Sequence, residues 1–212
     1  ILFTIKENNK IKFGKIVFNG NNAFSDFRLR WKMKETKQQS WFFFWRSSFD
    51  KKKFEEDMNL LTTFYKNKGY RDFHFISDSI EYSEDGGKMN IVLTVDEGPL
   101  YKYRNFSWEG MTLFDQQVLE RTLALEKGKK YSDEDFNMAV FSRVQGLYLD
   151  RGYIYSRVEP KITPVEEDSL DIHFVITENH QVSINQISIV GNTRTRENVI
   201  RRQLRVYPGD IY

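Results

Sequence analysis

Short stretches in which apolar and polar residues alternate bracket longer stretches of helical period, and this order recurs along the chain. Leu170, Ile172, Phe174 and Ile176 alternate with Asp171, His173, Val175 and Thr177, the period of two of a half-buried strand. Phe54, Met58, Leu61 and Tyr65 form a stripe at helical spacing, and Phe136, Val140 and Val144 with Leu147 form a second. Ser132 with Asp135 resembles a capping box, which would start the second of these helices at Asp133. Gly69 and Gly152 end the two helices, where a left-handed residue closes the last turn. Polar turn segments, Ser83-Glu84-Asp85-Gly86-Gly87 and Pro164-Val165-Glu166-Glu167-Asp168, join the last two strands of each unit as hairpins. The predicted order within a unit is strand, helix, helix, strand, strand, an α+β pattern.

The units are copies of one another. Ile1-Leu2-Phe3-Thr4-Ile5-Lys6-Glu7 aligns with Ile91-Val92-Leu93-Thr94-Val95-Asp96-Glu97 and with Ile172-His173-Phe174-Val175-Ile176-Thr177-Glu178, at offsets 97 − 7 = 90 and 178 − 97 = 81. Ile16-Val17-Phe18-Asn19-Gly20, Phe106-Ser107-Trp108-Glu109-Gly110 and Ile187-Ser188-Ile189-Val190-Gly191 keep the same offsets. Tyr65…Gly69-Tyr70 matches Tyr148…Gly152-Tyr153, and Gly128…Tyr131 matches Gly209…Tyr212. Such self-similarity marks an array of one supersecondary unit. The chain divides into the last strand of an upstream copy (residues 1–7), a copy at 8–99 with an insertion at 37–48, a copy at 100–180, and the first strand and helix of a further copy at 181–212.

The opening strand of each copy changes phase at one place. Ile11/Phe13, Tyr101/Tyr103 and Val182/Ile184 have one parity; Ile16/Phe18, Phe106/Trp108 and Ile187/Ile189 have the other. A slip by one residue sends the two halves to opposite faces. The second pair is expected to pack in its own copy and the first pair against the preceding one, through a bulge.

Composition narrows the function. Lys plus Arg number 32 against 30 Asp plus Glu, a net charge of +2, without the basic excess of a chain that binds nucleic acid by counterion release. Cysteine is absent, which removes thiolate metal sites and cysteine nucleophiles and fits a reducing compartment or a secreted chain equally. No run approaches eighteen apolar residues, so no transmembrane helix is expected. The N-terminus has no signal-peptide pattern and reads as a cut edge. His74, His173 and His180 are the only histidines, and no two share metal-ligating helical spacing. Glycines never form a phosphate-cradling loop after a strand. No catalytic residue, cofactor site or metal site is expected, and the chain is read as non-enzymatic. Arg28, Arg30, Lys32 and Lys34, and Arg194, Arg196, Arg201, Arg202 and Arg205, are read as solvated basic faces, with anionic lipid headgroups as the other reading.

The repeat resembles a known module. Tyr65-Lys66-Asn67-Lys68-Gly69-Tyr70-Arg71-Asp72, Val95-Asp96-Glu97-Gly98, Asn19-Gly20-Asn21 and Val190-Gly191-Asn192-Thr193 together resemble POTRA domains, the periplasmic modules of the BamA family of outer-membrane assembly proteins. The loop Trp41-Phe42-Phe43-Phe44-Trp45 resembles the enlarged loop of the third such domain, which makes the copies the third, the fourth and the start of the fifth. Glu178-Asn179-His180 departs from the family's Glu-Gly.

The resemblance implies tandem repeats, each a three-stranded mixed sheet with its third strand central and two antiparallel helices on one face. It implies the periplasmic side of the outer membrane, a β-barrel downstream in the same chain, and no nucleic acid. The implied partners are unfolded outer-membrane protein segments and accessory lipoproteins; a secretion pore recognising one exported substrate, or a single-span periplasmic scaffold, are the alternatives. The second strand would be an open edge that another strand can join. The candidate edge comprises Phe73, His74, Phe75, Ile76, Ser77, Ile80 and Tyr82; Ile154, Ser156, Val158 and Ile162 form a weaker one that Pro160 interrupts. The aromatic loop either packs on its own copy or serves as a docking surface.

Overall fold

A computed structural model describes residues 12–34, 51–82 and 88–212. The expected strand at 1–7, the insertion with Trp41–Trp45, and the first hairpin turn lie outside the described residues. Two compact units are present: residues 1–102 with 130–133, and 103–129 with 134–212.

In the first unit, β1 (Lys12–Asn19) is followed by α1 (Asp26–Lys32), α2 (Lys51–Lys66), β2 (His74–Tyr82) and β3 (Lys88–Asp96). The sheet order is β1-β3-β2, with β1 parallel and β2 antiparallel to the central β3. Ile91, Leu93 and Val95 on β3 pack with Ile16 and Phe18 on β1 against Leu29, Phe54, Leu61 and Tyr65 from the two helices. The phase slip is a register shift between Phe13 and Ile16; there Asn90 Oδ1 accepts from the Lys15 N–H at 3.1 Å.

The second unit repeats the plan with β4 (Lys102–Glu109), α3 (Gln116–Leu123), α4 (Asp133–Asn137), α5 (Gln145–Leu149), β5 (Arg157–Val165) and β6 (Ser169–Thr177), in sheet order β4-β6-β5. On β6, Leu170, Ile172, Phe174 and Ile176 are buried and the residues between them are not, as the alternation predicts. A π-helical segment, Met138–Val144, joins α4 to α5. The cause is one extra residue: the buried positions Phe54 and Tyr65 are 11 apart on α2, whereas Phe136 and Tyr148 are 12 apart. Widening the turn absorbs the insertion and keeps both ends of the stripe in the core. Tyr148, not Leu147, therefore takes the last core position, and Leu147 is half-buried.

Each unit is closed by a carboxylate. Glu97, 8% exposed, accepts from the Ala23 N–H through both oxygens (3.1 and 3.0 Å) and from the Tyr65 hydroxyl at 2.9 Å. Glu178 accepts from the N–H groups of Thr112 and Leu113, each at 2.9 Å, from the Thr112 hydroxyl, and from Tyr148 at 3.2 Å. Burial, and then the neighbouring carboxylate, push the phenols of Tyr65 and Tyr148 far above their ordinary range. Partial burial raises the Glu178 carboxyl, but the Thr112 and Leu113 donors outweigh it and hold the group below its ordinary value. The departure at Asn179 is accommodated: Asn179 has φ +56°, and Gly98 has φ +64°. Asparagine is among the few residues that adopt this conformation readily.

Helix ends are closed by segments from beyond β3 and β6. The Tyr101 N–H donates to the Gly69 carbonyl at 2.9 Å, and its own carbonyl accepts from the Tyr131 N–H at 2.9 Å. Tyr101 thus belongs to the first unit, as the phase slip predicts, whereas Tyr103, the other member of its pair, belongs to the second unit, its ring 5.6 Å from that of Phe106. Val182, Gly152 and Tyr212 repeat the arrangement in the second unit at 2.8 and 3.1 Å. Gly69 is required by its φ of +102°, which side chains rarely adopt.

Beyond residue 181 the expected helix forms as α6 (Glu197–Arg201), but the expected opening strand does not; Ser183 with Ile211 makes a single bridge. In both complete copies the opening strand pairs with that copy's last strand.

Candidate strand-docking edge

β2 borders its sheet, with β3 on one side and no strand on the other among the described residues. From Ser77 to Tyr82 it runs in unbroken register opposite Thr94 to Met89; the ladder shifts between Phe75 and Ser77, at Ile76. The edge therefore offers six regular residues below one bulge. Bulges are one way in which proteins blunt edges, and this one leaves Ser77–Tyr82 unblunted. The strand contains no proline.

Ile80 pairs with Ile91 and Tyr82 with Met89, so both lie on the helix-facing side of the sheet. They are nevertheless 51% and 60% exposed, and Ile76 is 62% exposed. A groove of about 520 Å³ runs between α2 and β2, lined by Phe54, Met58, Ile80 and Ile91, with Lys51, Glu55, Asn59, Asp78 and Ser79 also lining it. The sequence reading missed Lys51, Glu55 and Asn59 as site residues, although their i, i+4, i+8 spacing places them on one line along α2. A strand laid along β2 would gain backbone hydrogen bonds from the edge and a place for an apolar side chain in this groove.

The expected edge needs three corrections. Phe73 is buried, its ring stacked 4.0 Å from that of Tyr65, because the strand begins only at His74. His74 Nδ1 donates to the Asp72 carbonyl at 3.0 Å, and Phe75 is half-buried. The second edge is β5, starting at Arg157, so Ile154 and Ser156 precede the strand, and Ser156 is buried. Val158 is a core residue and Ile162 is half-buried. Pro160 and Pro164 both lie within β5, opposite Phe174 and Leu170. They share parity, so both missing donors fall on one side. Proline is tolerated in an edge strand where that side faces away from the ladder, which leaves the outer row of β5 short of two donors.

Further polar clusters each tie elements of one unit together. His173 bridges Ser107 Oγ (2.9 Å) and Glu109 Oε2 (3.1 Å) on the open face of the second sheet. The order serine, imidazole, carboxylate resembles a nucleophile relay. Glu109 is 68% exposed, so the relay lies in water and acts as a clip between β4 and β6. Beside it, Arg104 Nε and Nη2 donate to the two oxygens of Asp171 at 2.8 and 2.5 Å. Arg30 Nη1 donates to the Ile16 carbonyl at 2.9 Å and pairs with Asp26, and Arg201 does the same with Ile187 and Glu197. These two arginines of the basic faces hold opening segments in place.

A family model described as "Surface antigen variable number repeat" (POTRA) matches residues 11–98, 101–179 and 182–212. The chain belongs to the POTRA family. It is 35% identical over 95% of its length to the outer membrane protein assembly factor BamA of Neisseria meningitidis serogroup B, and 26% identical over its whole length to that of Nitratidesulfovibrio vulgaris. It spans about a quarter of those relatives, 26% and 27%. The POTRA fold is shared with a solved fragment, POTRA3-5 of Haemophilus influenzae BamA, at TM-score 0.68 and 23% identity, covering 95% of this chain and 80% of that one. BamA of Haemophilus ducreyi lacking POTRA domains 1-3 matches at TM-score 0.59 and 19% identity, over 80% of this chain and 29% of that one. The POTRA plan, two three-stranded mixed sheets each with its helices, is the one the repeat pattern predicts.

Proposed function

We propose that this chain is part of the periplasmic arm of an outer-membrane β-barrel assembly protein, and that β2 receives unfolded outer-membrane protein segments by strand addition. Its copies correspond to the third and fourth repeats and the start of the fifth, ahead of a membrane barrel in the same protein. The observation that carries the reading is the proline-free edge Ser77–Tyr82 beside an apolar groove. Backbone pairing reads no particular sequence, which suits a receptor for many barrel strands, and each encounter is weak enough to release its client. Accessory lipoproteins use the same mode, and the loop Trp41–Trp45 serves as a docking surface for a neighbouring domain or partner.

The test is site-specific photo-crosslinking in the intact protein, in cells. A photoreactive residue at Ile80 is expected to capture outer-membrane proteins in transit, and one at Lys161 on β5 far less. Equal capture at both positions would remove β2 as the receiving edge.

A further inference from the structure

α1 carries a surface that strand addition leaves unused. Phe27 and Trp31, one helical turn apart, are 76% and 73% exposed. Cations border this pair on the next face of the helix: the exposed Arg28 guanidinium lies over the rings of Phe24 (4.9 Å) and Phe64 (5.5 Å), and the half-buried Lys32 ammonium lies between Trp31 (5.8 Å) and Phe64 (5.1 Å). Lys34 follows, exposed. The one acidic residue of the helix, Asp26, is held by Arg30, so the charge presented beside the two aromatics is positive.

We infer that this face of α1 docks on an anionic bilayer surface, with Phe27 and Trp31 entering the headgroup region and Arg28, Lys32 and Lys34 meeting lipid phosphates. The side chains match that environment. Tryptophan settles at the headgroup level, phenylalanine buries its apolar ring at the acyl boundary, and cations beside them gain from a negative leaflet. Size argues against a protein partner. A helix of seven residues is only about 10 Å long and falls well short of the roughly 800 Å² per partner that a stable protein interface needs. A bilayer needs no complementary shape.

The test uses the whole 212-residue chain in co-sedimentation with vesicles of phosphatidylethanolamine and phosphatidylglycerol, beside vesicles of phosphatidylcholine alone. Binding is expected to the anionic vesicles only and to weaken with salt. The double variant Phe27→Ser/Trp31→Ser should lose at least tenfold in partition. Arg28→Gln/Lys32→Gln should lose about fivefold per cation removed. Circular dichroism checks folding, which two exposed positions should leave intact. No partition, equal partition onto neutral vesicles, or unchanged binding by the aromatic double variant would each overturn the inference; the last would place the contact elsewhere in the chain.

Discussion

Tyr65, at the end of α2, donates its hydroxyl to Glu97, just after β3, at 2.9 Å, and through that carboxylate fixes the loop that leads into α1. The second unit repeats the relation with Tyr148 and Glu178. One tyrosine and one glutamate per copy thus tie a helix end, a strand end and a connecting loop together. This is the physical content of the Tyr-x-x-x-Gly-Tyr and Val-Asp-Glu-Gly signatures.

Removing the Tyr65 hydroxyl leaves a nearly buried carboxylate short of one donor. Tyr65→Phe should cost about 1–3 kcal/mol in urea unfolding followed by a probe in the first unit, while the β6 amides of the second unit keep their exchange rates.

Glu178 gives the second unit a pH dependence of known sign. Its folded value lies below the ordinary 4.5, so its contribution is fully present above that pH and is lost as pH falls through the lower folded value. Glu178→Gln should therefore be less stable than the parent at neutral pH, and the gap should close as the solution is acidified. Hydrogen exchange at β6 between pH 6 and pH 3 measures it; a gap that widens on acidification contradicts the assignment.

Two glycines with positive φ should respond differently to alanine. At Gly110, with φ +81°, a Cβ would lie 2.1 Å from the Ile176 carbonyl oxygen, a backbone atom that cannot turn away, whereas at Gly128, with φ +82°, it meets nothing within 4 Å. Gly128→Ala carries backbone strain alone, about 1 kcal/mol, and Gly110→Ala should exceed it by a further 1–2 kcal/mol, roughly the cost of overpacking. Comparing the two melting temperatures decides it.

The prolines of β5 should act as a block on strand addition. Pro160→Thr/Pro164→Thr restores two outer donors and is expected to raise the affinity of β5 for an added strand, at the cost of self-association visible in sedimentation velocity. Unchanged behaviour would mean that the missing donors are not what blunts this edge.

Much of this is legible in the amino-acid sequence. The repeat, the alternation on β6, the bulge in β1 and the glycine-ended helices all follow from period and offset. Residues whose partners are distant in sequence were misread. Phe73 adjoins a strand and reads as part of its edge, but the chain has not yet reached the sheet there, and the ring stacks on Tyr65. Val158 and Ile162 have the parity of the core, which an edge reading ignores. Arg30 and Arg201 look like members of solvated runs, although their recurrence at a repeat offset of 201 − 30 = 171 was the available sign of a shared structural contact. The π segment was visible only as a single-residue change in spacing.

The central claim is that β2 is the receiving edge. The most direct measurement is an NMR titration of the isotopically labelled chain with a peptide from an outer-membrane barrel strand. Shifts are predicted in Ser77–Tyr82 and along the groove wall at Lys51, Glu55 and Asn59, and Ile80→Pro should abolish them. Shifts confined to β5, to α3 or to residues 181–212, with β2 unmoved, would contradict the claim.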